Sequence, residues 1–291
     1  VTSGKVVTTL GYERRNNPAL KFTDRAKFIR FMNADQPLRP ANIANIVAIN
    51  QGLRPLTMEP PRAPALTPAE FADLRAKDAL VVDTRSSAEF GAGHVTAALS
   101  IHLASPEFEQ RVGWITPADV PLLLVLERDE LMPRAMEALA FLGLDWRVKG
   151  FLAGGMPAWR GEGRDWQALP QIDVRALHQR LQGPEAPQVL DVREASEWNE
   201  AHIDGSHLQS YRQLAGHLGE LPIALDTPVA VVCRSGTRSS TAASVMQRHG
   251  FSRVFNVTGG MEAWKKAGLP AVTPGTCGVD PKASVPATQI G

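Results

Sequence analysis

The residues best suited to chemistry lie in Val229-Ala-Val-Val-Cys233-Arg234-Ser235-Gly236-Thr237-Arg238-Ser239-Ser240. The uncharged run Val229 to Val232 reads as a buried strand. It ends on a cysteine, turns through a short basic loop, and enters an Ala-rich helical run that opens at Ser239 and stops at Gly250, a residue suited to a helix C-terminus. A cysteine so placed faces the start of a helix, where loop N–H groups and the positive end of the helix dipole favour negative charge. Arg234 and Arg238 add two cations. The setting suits a thiolate nucleophile that receives or carries an anionic group. Cys233 is therefore the candidate nucleophile, and Arg234, Ser235, Gly236, Thr237, Arg238 and Ser239 form the candidate anion cradle. An inert buried thiol is the plain alternative for Cys233, and solvated side chains the plain alternative for the arginines.

The elements that must position this loop recur. Leu80-Val-Val-Asp83-Thr-Arg85, Glu89-Phe90 and His94-Val95 match Val189-Leu-Asp191-Val-Arg193, Glu197-Trp198 and His202-Ile203 at one constant offset. Pro121 to Leu126 matches Pro228 to Val232, Gly143-Leu144 matches Gly250-Phe251, and Gly154-Gly155-Met156-Pro-Ala-Trp159 matches Gly259-Gly260-Met261-Glu-Ala-Trp264. Each copy alternates helices with short apolar strands, at Leu80 to Asp83 and Leu122 to Leu126, then at Val189 to Asp191 and Val229 to Val232. This ordering predicts an α/β fold in which each copy is a parallel sheet with helices on both faces. Ligands of such sheets bind beyond the strand C-termini, where Cys233 falls. Thr67-Pro68-Ala69-Glu70 and Asp173 read as helix starts at the head of each copy.

Aligning Leu126 with Val232 places Glu127 where Cys233 stands, and the first loop reads Glu127-Arg128-Asp129-Glu130-Leu131-Met132. It has no nucleophile and no glycine, and its three carboxylates would repel an anion. Asp191, Arg193, Glu197 and His202 persist in the copy that has lost the nucleophile, as Asp83, Arg85, Glu89 and His94. They are therefore assigned to the scaffold, and Gly259, Gly260 and Trp264 to turn and core.

Residues 1–62 carry two amphipathic helix patterns, Thr23 to Met32 and Asn42 to Gln51, too little to fold alone, and then a Pro-containing link. The reading divides the chain into this segment, repeats at 64–165 and 170–275 joined through Arg160 to Leu169, and a tail at 276–291. Cys277 in the tail is taken as incidental. With net charge +1, dispersed basic residues and no apolar run of membrane length, nucleic acid and membrane are not expected partners. Two cysteines are too few for a disulfide framework, which fits a reducing, cytoplasmic setting.

Three motifs in order resemble the rhodanese family of sulfurtransferases: Asp191-Val-Arg193-Glu with Glu197-Trp and His202-Ile-Asp-Gly-Ser, then Cys233-Arg-Ser-Gly-Thr-Arg-Ser, then Asn256-Val-Thr-Gly-Gly-Met-Glu-Ala-Trp264. The resemblance covers about residues 66–272, as a tandem pair with an inactive first member. It implies that Cys233 takes a sulfane sulfur as a persulfide, from thiosulfate or a glutathione-type persulfide, and passes it to cyanide, sulfite or a thiol. It implies no cofactor in this chain.

A second resemblance, of Thr8-Thr-Leu-Gly-Tyr12-Glu-Arg-Arg-Asn-Asn-Pro18 with the following helices, is to the end of a metallo-β-lactamase-fold domain of the persulfide dioxygenase type. That implies a fused or associated dioxygenase domain, with an iron site there, because the seven histidines here form no His-x-His-x-Asp-His cluster. Two other functions stay open: a persulfide relay serving such a domain, and a Cys-dependent phosphatase, whose loop shares this fold. Phosphatases need an arginine one place later than Arg238, a position that Ser239 fills here.

Overall fold

The computed structural model describes residues 7–34, 39–55, 57–60 and 62–273. The chain divides into two compact units at Pro40. The first unit holds helices α1 (Leu10–Asn16) and α2 (Arg25–Asn33), joined by one short turn of 3-10 helix at Pro18–Lys21. Thr9 and Asp24 cap the two helices by accepting from the N–H of Tyr12 and Lys27. The second predicted helix, α3 (Ile43–Asn50), belongs to the larger unit. There Asn45 Nδ2 donates to the Gly143 carbonyl at 2.8 Å, and Thr57 Oγ1 to Asp145 at 3.2 Å.

The larger unit contains two five-stranded parallel sheets. The first runs in the order β1 (Ala65–Leu66), β5 (Val148–Leu152), β4 (Leu122–Val125), β2 (Leu80–Asp83), β3 (Leu99–Ser100). The second runs β6 (Gln171–Ile172), β10 (Val254–Val257), β9 (Val229–Val232), β7 (Gln188–Asp191), β8 (His207–Leu208). Taken in chain order within each sheet, the two arrangements are the same, as the repeat in the sequence requires. Helices α4 (Pro68–Arg75), α5 (Ser87–Ala92), α6 (Phe108–Ile115), α7 (Met132–Ala140) and α8 (Gly155–Gly161) surround the first sheet. Helices α9 (Val174–Leu181), α10 (Ala195–Glu200), α11 (Leu214–His217), α12 (Thr237–Arg248) and α13 (Gly260–Lys266) surround the second. The predicted caps form: Thr67 and Glu70 complete a capping box on α4, and Asp173 accepts from the N–H of Arg175 and Ala176.

Side chains of β9 alternate between two cores, as a strand buried on both faces must. Ala230 and Val232 pack with Val174, Leu177, Met261 and Trp264. Val229, Val231 and Cys233 face the other way, into a core continuous with that of the first repeat. Helix α12 seals this junction by covering the edge strand β3. Thr241 Oγ1 donates to the Ser100 carbonyl at 2.6 Å, Ser100 N–H donates to Ser244 Oγ at 3.0 Å, and Gln247 and Arg248 donate to the carbonyls of Ala168 and Ala97. The repeats thus share one hydrophobic interior.

Three features differ from the sequence reading. Of the ten strands in the two parallel sheets, six were not foreseen, because four are edge strands of two residues, too short to show periodicity, and Val148–Leu152 and Val254–Val257 are interrupted by Lys149, Gly150 and Asn256. Helix α12 starts at Thr237, two places before the expected Ser239. Arg160 to Leu169 is not a free link: Trp166–Gln167 pairs antiparallel with His94–Val95, and Leu169 is buried in the shared core. The tail with Cys277 lies outside the described residues. Among the described residues no helix is long and apolar enough to cross a membrane.

Candidate functional site

Cys233 is the first residue beyond β9 and is wholly buried. Its Sγ receives the Gly236 N–H at 3.1 Å. Gly236 is the N-cap of α12 with φ of 102°, a left-handed conformation that glycine adopts without strain, and this turn aims the N–H back at sulfur. The carbonyls at the base of the loop are held away from the sulfur. Met261 N–H donates to the Cys233 carbonyl at 2.8 Å and Glu262 N–H to the Arg234 carbonyl at 3.0 Å, so the first turn of α13 grips the back of the loop. Gly260 makes that grip possible, since a Cβ there would stand 2.3 Å from the Cys233 carbonyl oxygen. The sequence reading gave Gly259 and Gly260 to turn and core; Gly260 in fact sets how closely α13 approaches the loop.

A buried polar chain fixes the second neighbour of the sulfur. The Leu169 carbonyl can only accept, so Gln171 presents Nε2 to it at 2.9 Å. Gln171 Oε1 then accepts from Asn256 Nδ2 at 2.8 Å, and Asn256 Oδ1 accepts from Ser239 Oγ at 2.6 Å. Ser239 Oγ also lies within donating distance of Cys233 Sγ, at 3.3 Å, so its single proton is shared between the Asn256 oxygen and the sulfur. In the sequence Asn256 stands out only as a polar residue within an otherwise apolar run, Val254-Phe-Asn-Val257, and the structure buries it.

Both cradle arginines are already paired. Arg238 gives Nη1 and Nη2 to the two carboxylate oxygens of Glu197, each at 2.7 Å. This fork holds the Glu197 carboxyl below the usual carboxylate range and raises Arg238 further above neutrality. Arg234 Nε donates to Glu262 at 2.6 Å, with both side chains exposed. Assigning Glu197 to the scaffold was half the story: it accepts from the Glu194 N–H at the start of α10, and it also orients Arg238. The other persistent residues are scaffold. Arg193 forks onto Asp191 and reaches the Ala201 carbonyl, and Arg85 repeats this with Asp83 and Gly93. His202 stacks on Trp198 at 3.4 Å as His94 stacks on Phe90 at 3.7 Å.

The loop floors a cavity of about 620 Å³ through Arg234, Ser235, Thr237 and Arg238. Its other walls include His102, Glu107 and Arg111 from the first repeat and Arg212 from the second. The arrangement is a recessed cysteine sulfur with an N–H aimed at it, beneath a cation-lined opening.

A family model described as a rhodanese-like domain matches residues 173–267. A sulfurtransferase of Allochromatium vinosum is 34% identical over 104 residues, which are 36% of this chain and 95% of that protein. The chain belongs to the rhodanese-like family. The thiosulfate sulfurtransferase GlpE of Shewanella oneidensis is 34% identical over 94 residues, 32% of this chain and 91% of that one. The putative sulfur carrier protein YrkF of Bacillus subtilis is 35% identical over 100 residues, and the match spans 33% of this chain and about half, 51%, of YrkF. Among solved structures, the rhodanese-like domain of an Anabaena protein is 27% identical, covering 42% of this chain and 96% of its own, with a TM-score of 0.34. The family match falls on the second repeat, where Cys233, Ser239, Asn256 and the Glu197–Arg238 fork all lie.

Proposed function

We propose that the protein is a sulfurtransferase that moves a sulfane sulfur from thiosulfate or a low-molecular-weight persulfide, through a persulfide on Cys233, to cyanide, sulfite or a thiol. The observation that carries this reading is the Gly236 N–H on Cys233 Sγ at the mouth of α12, in a rhodanese-like repeat. The Cys233 thiolate attacks the outer sulfur of the donor. A new S–S bond forms, the old one breaks, and sulfite or a thiolate leaves with its electron pair. The acceptor then attacks the terminal sulfur of the persulfide and Cys233 leaves as thiolate. The cradle residues Arg234 to Ser239 supply N–H groups and positive charge to the leaving anion. Because Cys233 is buried beneath its loop, a narrow terminal sulfur reaches it more readily than a phosphorus bearing three oxygens. That favours sulfur over phosphate chemistry.

The first repeat is, on this reading, a second rhodanese-like domain without a nucleophile. A relay to a dioxygenase domain, fused or associated, is the second reading. It is favoured by the exposed apolar residues Phe28, Ile29 and Phe31 on α2, which suit packing against further protein. The test is formation of thiocyanate from thiosulfate and cyanide, with Cys233→Ser as control. Phosphate release from a test ester without thiocyanate would overturn the sulfurtransferase reading, and a single added sulfur on Cys233 without turnover would favour the relay.

A further inference from the structure

The cavity before the Cys233 loop is larger than a thiosulfate ion needs; a volume of about 620 Å³ lies in the range of sites for organic ligands. Its cations are unequal. Arg234 and Arg238 meet their glutamates at 2.6 and 2.7 Å, so much of their charge is spent. Arg111 is only 5% exposed, reaches Glu107 at a slack 3.3 Å, and its Nε and Nη1 have no hydrogen-bond partner among the described residues. Arg212 also meets its carboxylate, Glu194, at 3.3 Å, and its buried Nε has no partner either. For the buried Arg111, idle N–H groups cost stability unless an anion satisfies them, whereas the Arg212 side chain is 30% exposed and open to a ligand from the cavity.

The two arginines come from different repeats and line the same cavity. Arg111 lies on α6 of the first repeat, and the guanidinium of Arg212 rests 5.3 Å from the ring of Trp114 on that same helix and 5.6 Å from Tyr211. These aromatic contacts fix the plane of Arg212 without using its N–H groups. His102, on the same wall, is held below its ordinary value by burial, with Glu127 opposing, which leaves the arginines as the cations of this end of the cavity.

We propose that Arg111 and Arg212 form a second anion subsite, away from the sulfur, that takes a carboxylate of a low-molecular-weight thiol or its persulfide while the sulfur end reaches Cys233. The repeat without a nucleophile then contributes to binding. This rests on the sulfur-transfer reading for the role of the ligand, though not for its binding.

The test uses the full chain and S-methylglutathione, which bears two carboxylates and no reactive thiol, against its diester. Calorimetry is expected to show the acid binding at least about tenfold tighter than the diester. Arg111→Gln and Arg212→Gln should each remove most of that preference, and Arg111→Lys should restore part of it. Melting curves report whether each variant is folded. Equal affinity for acid and diester, or a preference unchanged in folded Arg111→Gln, overturns the subsite. Separate KM values for glutathione persulfide with cyanide, and for glutathione with thiosulfate, show whether the subsite serves donor or acceptor. Failure of the two readings is distinguishable: binding that needs the acid without any thiosulfate turnover sinks the sulfurtransferase and keeps the subsite, and turnover without the acid preference does the reverse.

Discussion

The two repeats share a strand order, a buried Asp–Arg fork and a histidine stacked on an aromatic, yet they differ sharply behind one loop. In the second, α13 donates two N–H groups to the loop carbonyls of Cys233 and Arg234, and a glycine at 260 lets it come close. In the first, the same Gly-Gly turn stands off: a Cβ on Gly155 would lie 3.2 Å from the Leu126 carbonyl, and the Gly154 N–H goes to the carboxylate of Asp129, at 3.1 Å to the nearer oxygen. A carboxylate thus occupies a donor of the first turn, and a short 3-10 turn at Asp129–Leu131 replaces the glycine that aims an N–H at sulfur. The missing cysteine is only part of the difference between the repeats; the backbone of the loop differs as well.

The largest expected effect follows from that contrast. Cys233→Ser should lower thiosulfate-to-cyanide turnover by about a thousandfold or more, because the hydroxyl is far less nucleophilic. Adding Glu127→Cys to this variant should recover nothing; thiocyanate formation above about 1% of the parent rate would break the argument that the backbone, not the side chain, disables the first loop. Next comes Gly260→Ala, which sets a methyl against the Cys233 carbonyl as well as straining a positive φ of 51°. A loss of roughly 3 kcal/mol in urea unfolding is expected, together with at least a tenfold fall in turnover. Gly155→Ala carries the strain at φ of 56° with a milder contact, 3.2 Å from the Leu126 carbonyl, so about 1–2 kcal/mol and unchanged turnover should be found.

Glu197 and Glu89 offer a finer contrast. Both sit at the third position of a short helix and accept from its start, but only Glu197 also grips an arginine of the loop. Glu197→Gln should raise KM for thiosulfate about tenfold by freeing Arg238 to move, whereas Glu89→Gln should cost about 1 kcal/mol of stability and leave KM alone. Equal KM values for the two variants would return Glu197 to the scaffold. Since Glu197 titrates below the usual carboxylate range, the fork is intact above pH 4.5, the ordinary value, and opens only as pH falls through the depressed one. It should not shape the activity profile near neutrality.

How far these features could be read beforehand depended on what spacing encodes. The repeat, the parallel α/β class and the Cys233 loop were legible because strands, caps and motif glycines act over a few residues. Glu197 was recognised and half assigned, for the arginine it clamps lies in a distant loop and nothing in its own surroundings names that partner. Arg111 carried no signal at all: on an amphipathic helix of the first repeat it looks like any surface arginine, and only packing of the repeats buries it at the cavity. The edge strand β3 was equally silent, because its two residues are defined by what α12 places over them.

A last test asks whether the repeats, different in chemistry, still fold as one. His94 is buried against Phe90 and gives its Nδ1 proton to the Phe90 carbonyl, which can only accept. Burial pushes its pKa down to about 4. Between that value and the ordinary one near 6.5 the unfolded chain binds a proton that the folded chain refuses. The stability His94 contributes is therefore complete above pH 6.5 and is lost as pH falls toward 4, by about 1.4 kcal/mol per unit within the window. Urea unfolding at pH 7 and pH 5 should show wild type losing about 2 kcal/mol more than His94→Gln. If the hydrophobic interior is continuous, as the burial of Val231 and Cys233 with residues of the first repeat requires, the loss should appear in one transition reported alike by tryptophans of both repeats. Two transitions, with only the first repeat sensitive to pH, would show that the shared core does not couple them, and the arginine from the first repeat would then line the cavity without the rigidity that a binding wall needs.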